Sequence, residues 1–202
     1  MRDKYPNFAA LAFAESADAF SISLRNTGSS IVVAAPHGGG IEPGTSEIAL
    51  SIAGNDLSYY LFEGKKVRGN DDLHVTSSNF DEPQCLVLLK ESNMVLTVHG
   101  EDSETEVVFL GGLCSAVLAS IRAELELHGF TVRELSGSNL QGHHPQNICN
   151  IGRIGAGIQL ELSSGLRRSF FKSLTRAGRR RPTLRLLQFT NQIREALLQN
   201  RV

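Results

Sequence analysis

Long apolar runs, charge imbalance and paired cysteines are all missing from this 202-residue chain. No stretch approaches the roughly 20 apolar residues that cross a bilayer, which argues against a membrane-spanning protein. The N-terminus, Met1-Arg-Asp-Lys-Tyr-Pro-Asn-Phe8, is charged and broken by Pro6, with no apolar segment of the kind that directs secretion. Lys and Arg total 20 against 21 Asp and Glu, so no global basic field supports nucleic-acid binding. Cys85, Cys114 and Cys149 are an odd number at wide spacing. They fit reduced thiols better than a disulfide framework or a structural zinc knuckle, which points to a cytoplasmic protein.

What is present is enough apolar residue, 41% of the chain, to bury a sizeable core. Short apolar runs alternate with helical patterns, and no repeat or second domain is visible. The expectation is one α/β domain over 1–202, with a mixed, largely parallel twisted sheet flanked by helices. Strands are expected at 19–24, 31–35, 57–62, 73–80, 94–98, 107–110, 130–135 and 156–162. Helices are expected at 45–54, 83–90, 113–128 and 183–199. In the last strand Ile158, Leu160 and Leu162 share one face, leaving Gln159 and Glu161 on the other.

Two apolar runs end in histidine. Ile31 to Ala35 leads into Pro36-His-Gly-Gly-Gly-Ile-Glu-Pro-Gly-Thr-Ser-Glu47, and Met94 to Val98 leads into His99-Gly100. In open α/β sheets ligands gather beyond the carboxyl ends of strands, where both imidazoles fall. His37, Glu42 and His99 offer donors that zinc accepts, three protein ligands being usual for a catalytic site. Solvated loop histidines fit the same spacing. Glu47 competes with Glu42, but a carboxylate in the first turn of a helix is already explained by the helix dipole. Glu161 suits a general base, although an exposed Glu on a half-solvated sheet fits the pattern equally well. Residues 136–153 form a long polar loop with His143-His144, of which at most one faces a site. Arg153 and Arg167 have the fork geometry that grips carboxylates, and the arginines from 167 to 185 make a local basic patch suited to a polyanion.

These segments resemble the poly-γ-glutamate hydrolases of phages and their bacterial relatives. The match runs through the 36–47 loop, Leu73-His-Val-Thr-Ser-Ser-Asn-Phe-Asp-Glu-Pro83, Val98-His-Gly100, Asn147-Ile-Cys-Asn150 and Gly157-Ile-Gln-Leu-Glu-Leu-Ser163, in the family's order. The resemblance implies a compact zinc carboxypeptidase-like fold, zinc (Zn2+) held by His37, Glu42 and His99, and Glu161 as general base. His143, Arg153 and Arg167 are the candidates for holding substrate. In the resemblance an arginine usually follows the Asn of the Asn-Ile-Cys-Asn segment, and here that residue is Ile151, which leaves open whether nearby Arg153 takes its place.

The implied activity is zinc-dependent cleavage of γ-glutamyl amide bonds, with the polyanionic γ-glutamyl polymer as partner and release by lysis as one route to it. Hydrolysis of a small acyl-amino acid or glutamate amide by the same machinery stays open, since a fold does not fix its substrate. The rival from another class is a non-catalytic nucleic-acid-binding protein of phage origin, using the basic patch and needing no zinc.

Overall fold

The computed structural model describes residues 3–134 and 141–200. Leu135, the end of the strand expected at 130–135, and residues 136–140 of the long polar loop lie outside the described residues. One seven-stranded sheet organises the chain, from strands β1 (Phe20–Arg25), β2 (Ile31–Gly39), β3 (Ser58–Gly64), β4 (Met94–Glu101), β5 (Val108–Gly112), β6 (Val132–Glu134) and β7 (Ile158–Ser163). Their order across the sheet is β1-β3-β2-β4-β7-β5-β6. β2 runs parallel to β3 and β4, β4 to β7 and β5 to β6, while β1–β3 and β5–β7 are antiparallel. The sheet is thus mixed and mostly parallel, as expected.

The helices are α1 (Phe8–Ala14), α2 (Thr45–Ala53), α3 (Pro83–Glu91), α4 (Ser115–Leu127), α5 (Ser164–Ser169), α6 (Arg176–Arg179) and α7 (Leu184–Gln199). Strand period two divides the apolar residues between two cores. Val33, Ala35, Leu96, Val98, Leu160 and Leu162 pack with Ile48, Ile121 and Phe189 from α2, α4 and α7. Val32, Ala34 and Val95 face the other way, against Phe8 and Leu11 of α1 and Leu88 and Leu89 of α3. Each fully buried side chain of this size contributes about 1.5–3 kcal/mol, and strands covered on both faces explain the continuous runs at 31–35 and 94–98.

One local expectation needs correction, and two local features add to the rest. Residues 73–80 form no strand: a 3-10 turn, Asn70–Leu73, leads into irregular backbone closed by a bond from Asn79 N–H to the Thr76 carbonyl. Leu73, Val75 and Phe80 are buried in the second core, so their apolar character reports an anchored loop. α1 was not expected, although Asn7 caps it by accepting from Ala10 N–H, and Phe8 and Leu11 supply its buried side. The cap of α2 is Gly44, with Thr45 inside the first turn donating its hydroxyl to the Glu42 carbonyl.

Candidate metal centre

β2 does not stop at Ala35. A register irregularity between Ala35 and Gly38 carries the strand past His37 to Gly39. The chain then turns back, with Glu42 N–H bonded to the His37 carbonyl at 2.9 Å, so the two side chains converge from one closed loop. Gly39 has φ +66°, and a Cβ there would lie 2.5 Å from the Gly64 carbonyl oxygen; only glycine combines that backbone with that approach. Gly100 is equally constrained, since a Cβ would lie 2.7 Å from the Arg167 guanidinium carbon and 2.9 Å from Glu42 Cβ.

His37, Glu42 and His99 bring one donor atom each within 4.8 Å of one another. His37 Nδ1 lies 3.1 Å from Glu42 Oε1 and 3.1 Å from His99 Nδ1. Both histidines are buried, at 2% and 3% exposure. His37 Nε2 is 2.9 Å from the Val75 carbonyl oxygen and must carry a hydrogen to bond there. In neutral His37, Nδ1 is therefore a lone pair, facing a carboxylate oxygen and another imidazole nitrogen. His99 Nε2 is buried with no hydrogen-bond partner among the described residues. With hydrogen on His99 Nδ1 the contact between the two rings is a hydrogen bond, but the Glu42 carboxylate still faces the His37 lone pair, an arrangement that a proton on His37 or a metal ion relieves. Two imidazole nitrogens and one carboxylate oxygen suit zinc.

The electrostatics carry the same signature. Burial pushes the His37 pKa down, but the Glu42 carboxylate and the Val75 carbonyl outweigh it and leave it raised. Burial alone would raise Glu42; the facing histidines and the Gly100 N–H, which donates to Oε2 at 2.8 Å, bring it down to about 2. His99 is lowered to about 3 by burial and by His37.

Glu161 is brought to the same place. It is the register partner of His99, so both side chains project from one face of adjacent strands. That face is not half-solvated: Glu161 is only 4% exposed. Gln159 Nε2 donates to Glu161 Oε1 at 2.8 Å, and Gln159 Oε1 accepts from Asn147 Nδ2 at 2.8 Å. Asn150 Nδ2 donates to the Gly142 and His144 carbonyls, folding 141–150 over β7. Burial first, then the Glu42 carboxylate, pushes the Glu161 carboxyl well above its ordinary range.

Of the three expected substrate-holding residues, Arg153 and His143 lie away from this cluster, and Arg167, beside Gly100 and Glu42, is engaged by main-chain carbonyls. Arg167 is 3% exposed, and Nε, Nη1 and Nη2 donate to the carbonyls of Leu162, Pro43 and Glu101 at 3.1, 2.8 and 3.0 Å. It clamps the ends of β7 and β4 to the Glu42 loop. Arg153 is exposed, but its N–H bonds to the Ser92 carbonyl, just before β4 begins. Six residues separate His99 from Asn93, about 20 Å of strand, so Arg153 sits at the other end of the sheet. His143 is exposed and lines a groove of about 520 Å³ with Leu110, Arg122 and Glu134, on the α4 side of the sheet. Ile151 packs against the second core. Glu47 pairs with Arg179 at 2.7 Å and stays out of the cluster.

One neighbour escaped the sequence reading. The His74 ring stacks on His37 with centroids 4.0 Å apart, and its Nδ1 meets Asp3 Oδ1 at 2.7 Å. Burial and His37 lower its pKa. The signal was present in Leu73-His-Val, but an expected strand there gave no reason to aim that ring at the cluster.

Comparisons with known proteins agree with this geometry. The poly-γ-glutamate hydrolase family model matches residues 5–192. The chain is 42% identical over 178 residues to the SPbeta prophage-derived UPF0714 protein YoqZ of Bacillus subtilis strain 168, covering 88% of this chain and 65% of YoqZ. It is 38% identical over 170 residues to UPF0714 protein YndL of the same organism, covering 84% and 67%. The chain thus spans slightly less than two-thirds of YoqZ. A bacteriophage poly-γ-glutamate hydrolase structure superposes with a TM-score of 0.94 at 33% identity over 98% of each chain. A zinc-free apo structure of YndL gives 0.92 at 36% identity, also over 98% of each.

Proposed function

Because the chain belongs to the poly-γ-glutamate hydrolase family, we propose that it is a zinc-dependent hydrolase of γ-glutamyl amide bonds acting on poly-γ-glutamate. The carrying observation is the buried convergence of His37 Nδ1, His99 Nδ1 and Glu42 Oε1 on one point. These residues would hold the metal, and zinc is the ion to test first because a relative's structure is described as zinc-free. When bound, zinc supplies Lewis-acid polarisation of the scissile carbonyl and a more acidic water.

The remaining work falls to the chain's own residues. Gln159 fixes one oxygen of Glu161, leaving the other to take the proton of the attacking water and return it to the departing amide nitrogen. A carboxyl raised by burial and by Glu42 holds a proton more tightly than an ordinary carboxylate, which makes it the stronger base for that exchange. Glu42 is oriented by the Gly100 N–H, and Arg167 ties down the loop that carries it. Lys172, Arg176, Arg180 and Arg181 are exposed on a segment that reaches the Glu42 loop where Phe171 and Leu174 approach Gly44. A cationic rim beside the centre favours a polyanion. Among the described residues no helix is long and apolar enough to cross a membrane. A cytoplasmic location, with release on lysis, belongs to the same proposal and is supported by three free cysteines.

The test is metal analysis of the purified protein and of His37→Ala, alongside digestion of the polymer followed by gel filtration. The expected result is about one zinc per wild-type chain, loss of zinc from the variant, and polymer converted to short oligomers by wild type alone. Protein that retains no divalent metal, or that attacks small glutamate amides and leaves the polymer intact, overturns the reading.

A further inference from the structure

Phe109 and Arg133 extend the row of His99 and Glu161 outward across the sheet. Glu161 is the register partner of Phe109 on β5, and Phe109 that of Arg133 on β6. Directly paired residues project to the same face. The flanking pairs agree, since Val108, Val132 and Leu110 all enter the core on the opposite face. His99, Glu161, Phe109 and Arg133 therefore line one face in that order.

Among the described residues, neither outer side chain packs into an apolar core. Phe109 is half-buried yet belongs to neither apolar core. Arg133 is exposed, and no hydrogen bond or ion pair is formed by its side chain among the described residues. The adjacent carboxylate, Glu134, projects to the other face and pairs with Arg122 at 2.8 Å. An aromatic ring beside the buried carboxylate is thus followed by a cation that no described residue pairs.

We propose that Phe109 and Arg133 form a subsite for the γ-linked glutamyl chain, with the ring beneath its methylenes and the guanidinium on an α-carboxylate. This rests on the hydrolase reading and adds the direction in which the polymer leaves the reacting centre. Each γ-linked repeat places two methylenes in the main chain and hangs one carboxylate beside them, a pattern that an aromatic followed by a cation complements. Two strand spacings put Arg133 about 10 Å from Glu161, and an extended γ-linked repeat is roughly 6 Å from standard bond lengths. The guanidinium thus meets a carboxylate one to two repeats from the scissile amide.

The test uses steady-state hydrolysis of γ-glutamyl oligomers of increasing length. A second readout is binding of fluorescent poly-γ-glutamate to Glu161→Gln protein with and without Arg133→Glu. Arg133→Glu is expected to raise KM for long oligomers by about five- to tenfold, the scale of reversing one exposed charge contact. Its kcat should stay within about twofold, and the gain of affinity with length should disappear. Phe109→Ala should raise KM in the same length-dependent way, while Arg153→Glu at the far end of the sheet changes neither constant. An arginine that only guards an edge strand against pairing would leave KM and polymer affinity at wild-type values in Arg133→Glu, and that result overturns the subsite. Wild type that neither binds nor cleaves the polymer would remove the hydrolase reading first, before any variant is made.

Discussion

The two ends of the central sheet look alike in sequence and differ completely in structure. The carboxyl ends of β2 and β4 carry His37, Glu42 and His99 among glycines; the other end carries Arg153, with His143 and Gly111–Gly112 along the loop over β5. Both are glycine-rich, polar and supplied with titratable groups. At the first end parallel strands point their termini the same way, so side chains from separate segments converge and lose their solvent together. At the second, Arg153 points into solvent and His143 lines an open groove on the opposite face. Strand direction, rather than local polarity, decides where chemistry collects.

That contrast is broken most directly by removing the groups at the first end. Glu161→Gln keeps the side-chain shape but removes the proton acceptor. It should lower kcat by about 10²–10⁴-fold, the usual range for a general base, while zinc content stays at the wild-type level. A variant that retains zinc and hydrolyses at a near wild-type rate would show that the base lies elsewhere. Arg167→Ala sharpens the comparison from the stability side. One buried and two part-buried main-chain carbonyls lose their donors, each at about 1–3 kcal/mol with the buried one at the upper end. The expected loss is about 3 kcal/mol or more, a fall in Tm of roughly 6–12 °C. Arg167→Lys should recover only part of it, because one ammonium cannot fork to three carbonyls spread over Pro43, Glu101 and Leu162. An unchanged Tm in both would mean that Arg167 is free to serve the substrate after all.

Much of this was legible before any coordinates, and the reasons are specific. The runs at 31–35 and 94–98 read as buried strands because β-branched and apolar residues without alternation have no other stable home in an α/β sheet. His37, Glu42 and His99 followed because loops at strand ends deliver side chains to a common edge. Glu47 reads as a first-turn acid, and its Arg179 partner, 132 positions away, has no local signature. What stayed hidden depends on contacts between distant segments. His74 is aimed by Asp3, 71 positions away, and no local pattern encodes that distance. Arg167 reads as a substrate-gripping fork because its chemistry is the same whether it meets a carboxylate or three carbonyls. Gln159 reads as the idle polar face of a strand, yet it links Glu161 to Asn147 through two bonds of 2.8 Å. Burial of that face comes from the 141–150 segment, whose polar composition suggests a solvated loop.

The smallest expected effects test the quiet end of the sheet. Arg153→Ala and His143→Ala should each change kcat/KM by less than about twofold, and Tm by no more than about 1–2 °C, as exposed substitutions usually do. For Arg153 the argument is distance: its backbone is fixed at Ser92, before β4 begins, and the reacting centre lies beyond His99. Arginine side chains do not reach along about 20 Å of strand. For His143 the argument is facing, since its groove is lined by Leu110 and Glu134, register neighbours that project away from Glu161. The comparison fails in an informative way if Arg153→Ala alone weakens the polymer and leaves short oligomers untouched. The polymer would then wrap around the end of the sheet to meet a cation remote from the chemistry, and both ends would take part in binding although only one performs the reaction.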